Sequence, residues 1–119
     1  MEIKALLLTL LVMFTPVSAF ARDWQDLQCG DGWAPVKAIA PTYPTRARER
    51  GIEGYVIMSY TITLQGKVSD IAVADTNSNA FTRVARNALS DMKFPPCIQN
   101  GLATQQQDVR IRYEFALVD

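Results

Sequence analysis

Residues 54–75, GYVIMSYTITLQGKVSDIAVAD, decide the fold of this chain. The first half alternates between apolar and polar side chains, which is the pattern of a strand with one buried face. Its apolar positions are Val56, Met58, Tyr60, Ile62 and Leu64, while Ser59, Thr61 and Thr63 dominate the opposite face. This alternation predicts a half-buried β-strand.

A turn and a second strand follow within the same stretch. Gln65-Gly66-Lys67 places a glycine, which tolerates positive φ, at the point where the chain must reverse. The apolar signal then returns at Val68, Ile71 and Val73. Because turn chemistry and periodicity agree, the stretch predicts a β-hairpin, and we expect the rest of the chain to cover one of its faces.

The composition is that of one small globular domain. The chain has 119 residues, of which 49% are hydrophobic and 20% are charged, so it can bury a core of its own. Twelve basic residues balance twelve acidic ones. A nucleic-acid-binding domain normally carries a basic excess, so nucleic acid is not an expected partner.

The first 21 residues have the features of a signal peptide. Lys4 precedes the apolar run Ala5–Phe14, and Ala19-Phe20-Ala21 has the small-residue spacing of a cleavage site. We expect cleavage after Ala21, a leader segment at residues 22–34 and a folded domain at residues 35–119. The alternative is an uncleaved membrane anchor, which needs about 20 apolar residues. Thr9, Thr15 and Pro16 interrupt this run.

Export would place the two cysteines, Cys29 and Cys97, in an oxidising compartment. In an oxidising compartment such a pair normally forms one structural disulfide. It would close a loop of about 69 residues and stabilise the fold by about 4 kcal/mol. A redox-active pair usually has the C-x-x-C spacing, and a zinc site needs more ligands than two thiols in a chain without histidine. We therefore expect a disulfide that ties the leader to the far end of the main helix, and no metal.

Two helices are predicted, one short and one long. Pro44 and Gly51 bound a helix over Thr45–Arg50, which is too short to be stable unless it docks on the domain. The long helix runs from Ala80 to about Lys93, and its apolar side chains recur at three- and four-residue steps. They are Phe81, Val84, Ala85, Ala88, Leu89 and Met92. This stripe predicts a core-facing helix.

A third strand follows the long helix. Residues Cys97–Asp108 have the composition of a loop, and the alternation returns over Val109–Val118. One face carries Val109, Ile111, Tyr113, Phe115 and Leu117, and the other carries Arg110, Arg112 and Glu114. The pattern predicts an antiparallel strand with one exposed face.

The order of these elements predicts an α+β fold with a three-stranded antiparallel sheet. The spatial order 2-1-3 makes every neighbouring pair antiparallel and permits a right-handed crossover through the long helix. The long and the short helix would then cover one face of the sheet. The third strand would lie at an edge, and an exposed edge is either protected against pairing or used for it.

Several short motifs add a family resemblance. They are Pro41-Thr-Tyr-Pro44, Gly51-Ile-Glu-Gly54 before the first strand, Gly66-Lys-Val68 in the turn, Phe94 and Pro96 after the long helix, and a last strand ending in Glu-Phe-Ala-Leu. In this order and spacing they resemble the C-terminal domain of TonB, over about residues 35–119. The resemblance implies the fold described above and a location in the periplasm.

The resemblance also implies an interaction site at the edge of the sheet. Energy-transducing members of the family add an extended segment of an outer-membrane receptor to this edge. On this sequence the site residues would be Val109, Arg110, Ile111, Arg112, Tyr113, Glu114 and Phe115. Arg110 and Arg112 would face acidic residues of a receptor or another envelope protein. A homodimer could form through the same edge.

Two functions follow from the resemblance. The first is a stand-alone periplasmic protein-interaction module linked to TonB-dependent outer-membrane transport. The alternative is a minimal energy transducer in which residues 1–21 stay in the inner membrane, although transducers of this family also carry a long Pro-rich spacer. An enzyme is not expected, because the sequence has no histidine, no nucleophile elbow and only scattered acids. No cofactor is expected either.

Overall fold

The computed structural model of the chain describes residues 23–118. The expected signal peptide and its cleavage site lie outside the described residues. The elements in chain order are α1 (Thr45–Glu49), β1 (Gly54–Ile62), β2 (Val68–Thr76), α2 (Thr82–Ser90), β3 (Ile98–Gln99), β4 (Leu102–Ala103) and β5 (Gln106–Phe115). Short 3-10 turns precede α1, at Trp24–Asp26, and α2, at Asn79–Phe81.

The main sheet has the order β2-β1-β5, and both neighbouring pairs are antiparallel. This confirms the predicted 2-1-3 arrangement, with β5 as the third long strand. The predicted hairpin is formed by β1 and β2, and Gly66 adopts φ +87° in the turn between them. A side chain at Gly66 would collide with the backbone of Phe94, so glycine is required there by both conformation and space.

The hydrophobic core lies between the sheet and the helices. The four inward side chains of β1 that the alternation identifies, Val56, Met58, Tyr60 and Ile62, are at most 1% exposed. Facing them are Ala85 and Leu89 of α2 and Phe81 of the preceding turn, all fully buried. Ala47 of α1 joins the same cluster, so the short helix docks as its length requires.

The long helix is shorter than predicted at both ends. It begins at Thr82, because residues 79–81 form a 3-10 turn capped by the Ser78 side chain, whose Oγ accepts from Ala80 N–H. It ends at Ser90 instead of Lys93. Lys93 leaves the helix because its N–H donates to Lys37 C=O (2.9 Å) and its C=O accepts from Val36 N–H (2.8 Å). These backbone groups of Lys93 therefore pair with residues 36 and 37 and do not continue the helix.

The segment predicted as a loop, Cys97–Asp108, contains two short strands and the start of β5. β3 and β4 form a small hairpin, whose turn residues Asn100 and Gly101 both have positive φ. β5 spans Gln106–Phe115, whereas Val109–Val118 was predicted. The strand ends at Phe115 because its partner there is Gly54, the first residue of β1, and no β1 residue remains to pair with.

Bulges shift the alternation along β1. Thr61 was expected on the exposed face, yet only 6% of it is exposed. The register with β2 shifts between Ser59 and Thr61, and the register with β5 shifts between Tyr60 and Ile62. Leu64, predicted on the buried face, lies in the turn beyond the strand and is 48% exposed. A bulge breaks strict period-two alternation, and the sequence pattern does not reveal where it falls.

The leader covers the core beside Phe94, and a disulfide fixes it there. Trp33 stacks on Phe94 with ring centroids 5.0 Å apart, and its Nε1–H donates to Pro95 C=O (3.0 Å). Trp24 meets the same ring edge-on at 6.3 Å. The structure joins Cys29 to Cys97, with Cα atoms 4.8 Å apart. The leader is therefore part of the domain's hydrophobic packing.

Candidate protein-binding edge

β5 is a regular edge strand. In the described part of the chain it pairs with β1 alone, and from Val109 to Phe115 the register runs without a shift. The opposite edge, β2, is irregular: its pairing with β1 shifts register twice, and Asp70 adopts φ +52°. Bulges of this kind blunt an edge against pairing. Of the two edges, β5 is the one suited to receive another strand.

The backbone groups that β5 offers to a partner can be identified from β1. Tyr55 N–H donates to Asn77 Oδ1 (2.8 Å), and Tyr55 C=O accepts from Thr76 Oγ1 (2.7 Å), so both groups face β2. Peptide groups alternate sides along a strand, and those of Val56 therefore face β5, where the partner residue is Tyr113.

The same alternation turns the next residues of β5 outward. The N–H and C=O groups of Arg110, Arg112 and Glu114 point away from β1, and no hydrogen bond to these backbone groups occurs within residues 23–118. The free edge therefore presents three donors and three acceptors at the spacing of an antiparallel or parallel ladder.

The inward side chains hold the edge in place. Val109 and Phe115 are buried, and Phe115 stacks on Phe81 with ring centroids 4.2 Å apart. Tyr43 meets the Phe115 ring edge-on at 5.8 Å. Just beyond the strand, Leu117 N–H donates to Glu53 Oε2 (2.7 Å). The strand is thus anchored along its length, so a partner would meet an ordered edge.

The outward side chains of β5 form a row of charges on the face of the sheet opposite the helices. The Arg110 Nε donates to Asp108 Oδ1 (3.3 Å), and the Arg112 Nε donates to Glu114 Oε1 (2.7 Å). Asp108 adopts φ +53° at the bulge where the regular part of the strand begins. We call Asp108, Arg110, Arg112 and Glu114 the charge row.

Arg112 is also held by β1. Its guanidinium carbon lies 4.1 Å from the centre of the Tyr55 ring, within cation–π range. The Tyr55 hydroxyl in turn donates to Asp75 Oδ2 on β2 (2.9 Å). This hydrogen bond is the main cause that raises the pKa of the Tyr55 hydroxyl above its ordinary value. Contacts across all three strands therefore fix the position of Arg112.

All seven site residues predicted from the sequence lie in β5. Val109, Ile111, Tyr113 and Phe115 face the core, and Arg110, Arg112 and Glu114 face outward, as the alternation indicates. The sequence reasoning missed Asp108, Tyr55 and Asp75. Asp108 could have been identified from the sequence, because it lies two residues before the oppositely charged Arg110. The contacts of Tyr55 depend on the strand register, which the sequence does not show.

The described residues contain no site for a metal ion built from three or more His, Cys, Asp or Glu side chains. Over residues 23–118, no helix is long and apolar enough to cross a membrane. The Tyr60 and Tyr113 hydroxyls are buried without a hydrogen-bond partner among these residues. Burial raises the pKa of both phenols.

Comparisons with known proteins point to one group. The profile of the family described as Gram-negative bacterial TonB protein C-terminal matches residues 39–117. Protein TonB of Pseudomonas aeruginosa is 35% identical over 78 residues, which make up 65% of this chain and 23% of that protein. Protein TonB of Vibrio cholerae is 30% identical over 80 residues, or 66% of this chain and 32% of that protein. The chain thus matches about a quarter to a third of the length of these relatives.

Two solved structures resemble the fold. The solution structure of the TonB C-terminal domain from Pseudomonas aeruginosa superposes with a TM-score of 0.65 at 31% identity, covering 76% of this chain and 91% of that one. The TonB2 protein from Vibrio anguillarum superposes with a TM-score of 0.58 at 35% identity, covering 83% of this chain and 94% of that one.

Proposed function

Because this chain belongs to the family of TonB C-terminal domains, we propose that it is a periplasmic protein-interaction module. It captures an extended segment of an outer-membrane receptor by adding that segment to the edge of its sheet at β5. The domain supplies binding and no chemistry. A role in TonB-dependent transport across the outer membrane follows if the captured protein is such a receptor.

The observation that carries the proposal is the outward direction of the Arg110, Arg112 and Glu114 backbone groups on a regular strand. Strand addition draws its affinity from such main-chain groups and its specificity from the side chains beside them. Val109 and Phe115 support the proposal because they anchor the edge before a partner arrives. An ordered edge reduces the conformational entropy lost on binding.

The test separates backbone pairing from side-chain contact at one position. A panel of synthetic peptides covering periplasm-exposed segments of outer-membrane receptors is titrated into isotope-labelled protein. Arg112→Pro then removes an outward N–H, and Arg112→Ala removes the side chain while keeping that N–H. We expect Arg112→Pro to weaken binding by at least about tenfold and Arg112→Ala by no more than about fivefold.

The two variants also control for folding. The Arg112 N–H does not pair with β1, so proline at an edge position of this kind removes no hydrogen bond within the sheet. Both variants should therefore keep the amide spectrum of the folded domain. Equal affinities for a bound peptide in the two variants would show that the Arg112 backbone does not take part, and the proposed binding mode would be wrong.

Export is the second part of the proposal. If residues 1–21 are removed, the protein recovered from the cell envelope has the intact mass of a chain beginning at Arg22. Recovery of the full-length mass in the membrane fraction would instead support the minimal transducer. Intact-mass measurement of the native protein thus separates the two.

A further inference from the structure

The charge row on β5 has a definite order. From Asp108 to Glu114 the outward side chains are negative, positive, positive and negative. Each arginine lies beside a carboxylate of its own strand, so the row as a whole is neutral. An incoming strand therefore meets charges of both signs and no general basic surface. The order is the same read from either end.

Side chains directly opposite each other on neighbouring strands interact, and opposite charges attract while like charges repel. A strand added beside β5 would place its own outward side chains across from the charge row. A purely acidic partner would match Arg110 and Arg112 and would be repelled at both ends. Only a partner with basic residues at the ends matches all four positions.

We propose that β5 selects a strand whose outward residues have the order basic, acidic, acidic, basic at alternate positions. This inference rests on the proposed function and specifies the class of segment that the edge accepts. Because the charge row is symmetrical, the preference is the same for parallel and antiparallel addition. It adds two basic positions to the acidic ones expected from Arg110 and Arg112.

The surroundings of Glu114 support a basic residue at that end. A shallow depression beside the end of β5 is lined by the charged residues Glu53, Arg112 and Glu114, together with Tyr55 and Asn77. It contains two carboxylates against one guanidinium, and Arg112 is already paired with Glu114. The depression therefore has a net negative charge, which attracts a lysine or arginine of the partner.

The charge row also disfavours one form of self-pairing. When two copies of β5 pair antiparallel about Ile111, Asp108 lies across from Glu114 and Arg110 lies across from Arg112. Like charges then face each other at all four outward positions, which destabilises the pair. The same row that favours a complementary partner thus opposes a centred homodimer.

Two synthetic peptides of identical composition test the inference. One has the core Lys-Val-Glu-Val-Glu-Val-Lys and the other Glu-Val-Lys-Val-Lys-Val-Glu, with identical flanking residues. Each is titrated into labelled wild-type protein and into the variant Arg112→Glu/Glu114→Arg, which keeps net charge and composition. For the wild type at low salt, the first peptide should bind roughly tenfold more tightly, since four modest charge pairs change sign between the peptides. A slide of the second peptide by two residues recovers only part of this difference.

In the swapped variant the charge row becomes negative, positive, negative, positive. Each peptide then finds two matched and two mismatched positions, so the affinity ratio should fall to about one. Equal binding of both peptides at β5 of the wild type, or an unchanged preference in the swapped variant, would overturn the inference and leave the proposed function standing. Failure of both peptides to bind at β5 would also overturn the inference, whereas the proposed function is tested separately with the receptor-derived peptides.

Discussion

Removing the Cys29–Cys97 disulfide should lower the stability of the domain more than any single change at its surface. The two residues are 68 positions apart, so the bond closes a loop of about 69 residues in the unfolded chain. The loss of loop-closure entropy corresponds to about 4 kcal/mol. A domain of this size typically has a free energy of unfolding of only about 5–15 kcal/mol. The disulfide therefore supplies a large share of the stability.

The experiment compares the wild type with Cys29→Ala/Cys97→Ala in urea. Alanine is preferable to serine because Cys97 is fully buried, and alanine adds no polar group to the core. We expect the unfolding midpoint to fall by about 2–3 M, and the m-value to rise because the unfolded chain exposes more surface without the cross-link. The emission of Trp24 and Trp33 reports whether the leader stays docked on Phe94.

Reduced wild-type protein is the matched control, since it keeps both sulfur atoms in the core. Its loss of stability measures the cross-link alone, and the further loss in the alanine variant measures packing. A decrease of less than about 1 kcal/mol on reduction would refute the reasoning. In that case the contacts of the leader, and not the constraint on the unfolded chain, would hold the segment in place.

Three further predictions concern stability and self-association. Gly66→Ala should destabilise the domain by at least about 3 kcal/mol, because its Cβ would lie 1.9 Å from the Phe94 carbonyl oxygen. Gly101→Ala, at a similar φ but in open space, should cost only about 1 kcal/mol; equal losses in urea unfolding would contradict this. Burial raises the pKa of Tyr60 in the folded state, so above pH of about 10 the phenol ionises more readily in the unfolded chain, and the stability of the domain falls as pH rises further. Tyr60→Phe should reduce this alkaline loss of stability, and it should raise the free energy of unfolding at neutral pH by about 1 kcal/mol because it removes a buried hydroxyl without a partner. An identical dependence of the unfolding free energy on pH in both proteins would contradict this prediction. Finally, Arg112→Glu/Glu114→Arg places opposite charges across from each other when two copies of β5 pair about residue 111. Sedimentation velocity should therefore detect more dimer than in wild type at equal concentration. An unchanged dimer fraction would contradict the inference that the charge row opposes this dimer.

The main sheet could be predicted because the sequence features that specify it lie close together in the chain. Alternation along β1 and the glycine in the turn both depend on neighbouring residues, so they indicate the hairpin without knowledge of the fold. The order 2-1-3 follows from the single helix between β2 and β5. The faces of Arg110, Arg112 and Glu114 follow from period-two alternation alone.

The features that could not be predicted depend on partners distant in sequence. The bounds of β5 are set by where β1 begins and ends, and α2 stops early because Lys93 pairs with Lys37. The bulges at Asp70 and Asp108 leave little trace beyond the tolerance of aspartate for positive φ. The contact between Arg112 and Tyr55 exists only in the observed register.

Amide hydrogen exchange along β5 tests the central claim most directly. The N–H groups of Arg110, Arg112 and Glu114 face outward in the free protein, while those of Ile111 and Tyr113 already pair with β1. When a receptor-derived peptide binds, we predict slower exchange at the first three residues and little change at the other two. Protection that rises equally along the strand, or only on β2, would contradict strand addition at this edge.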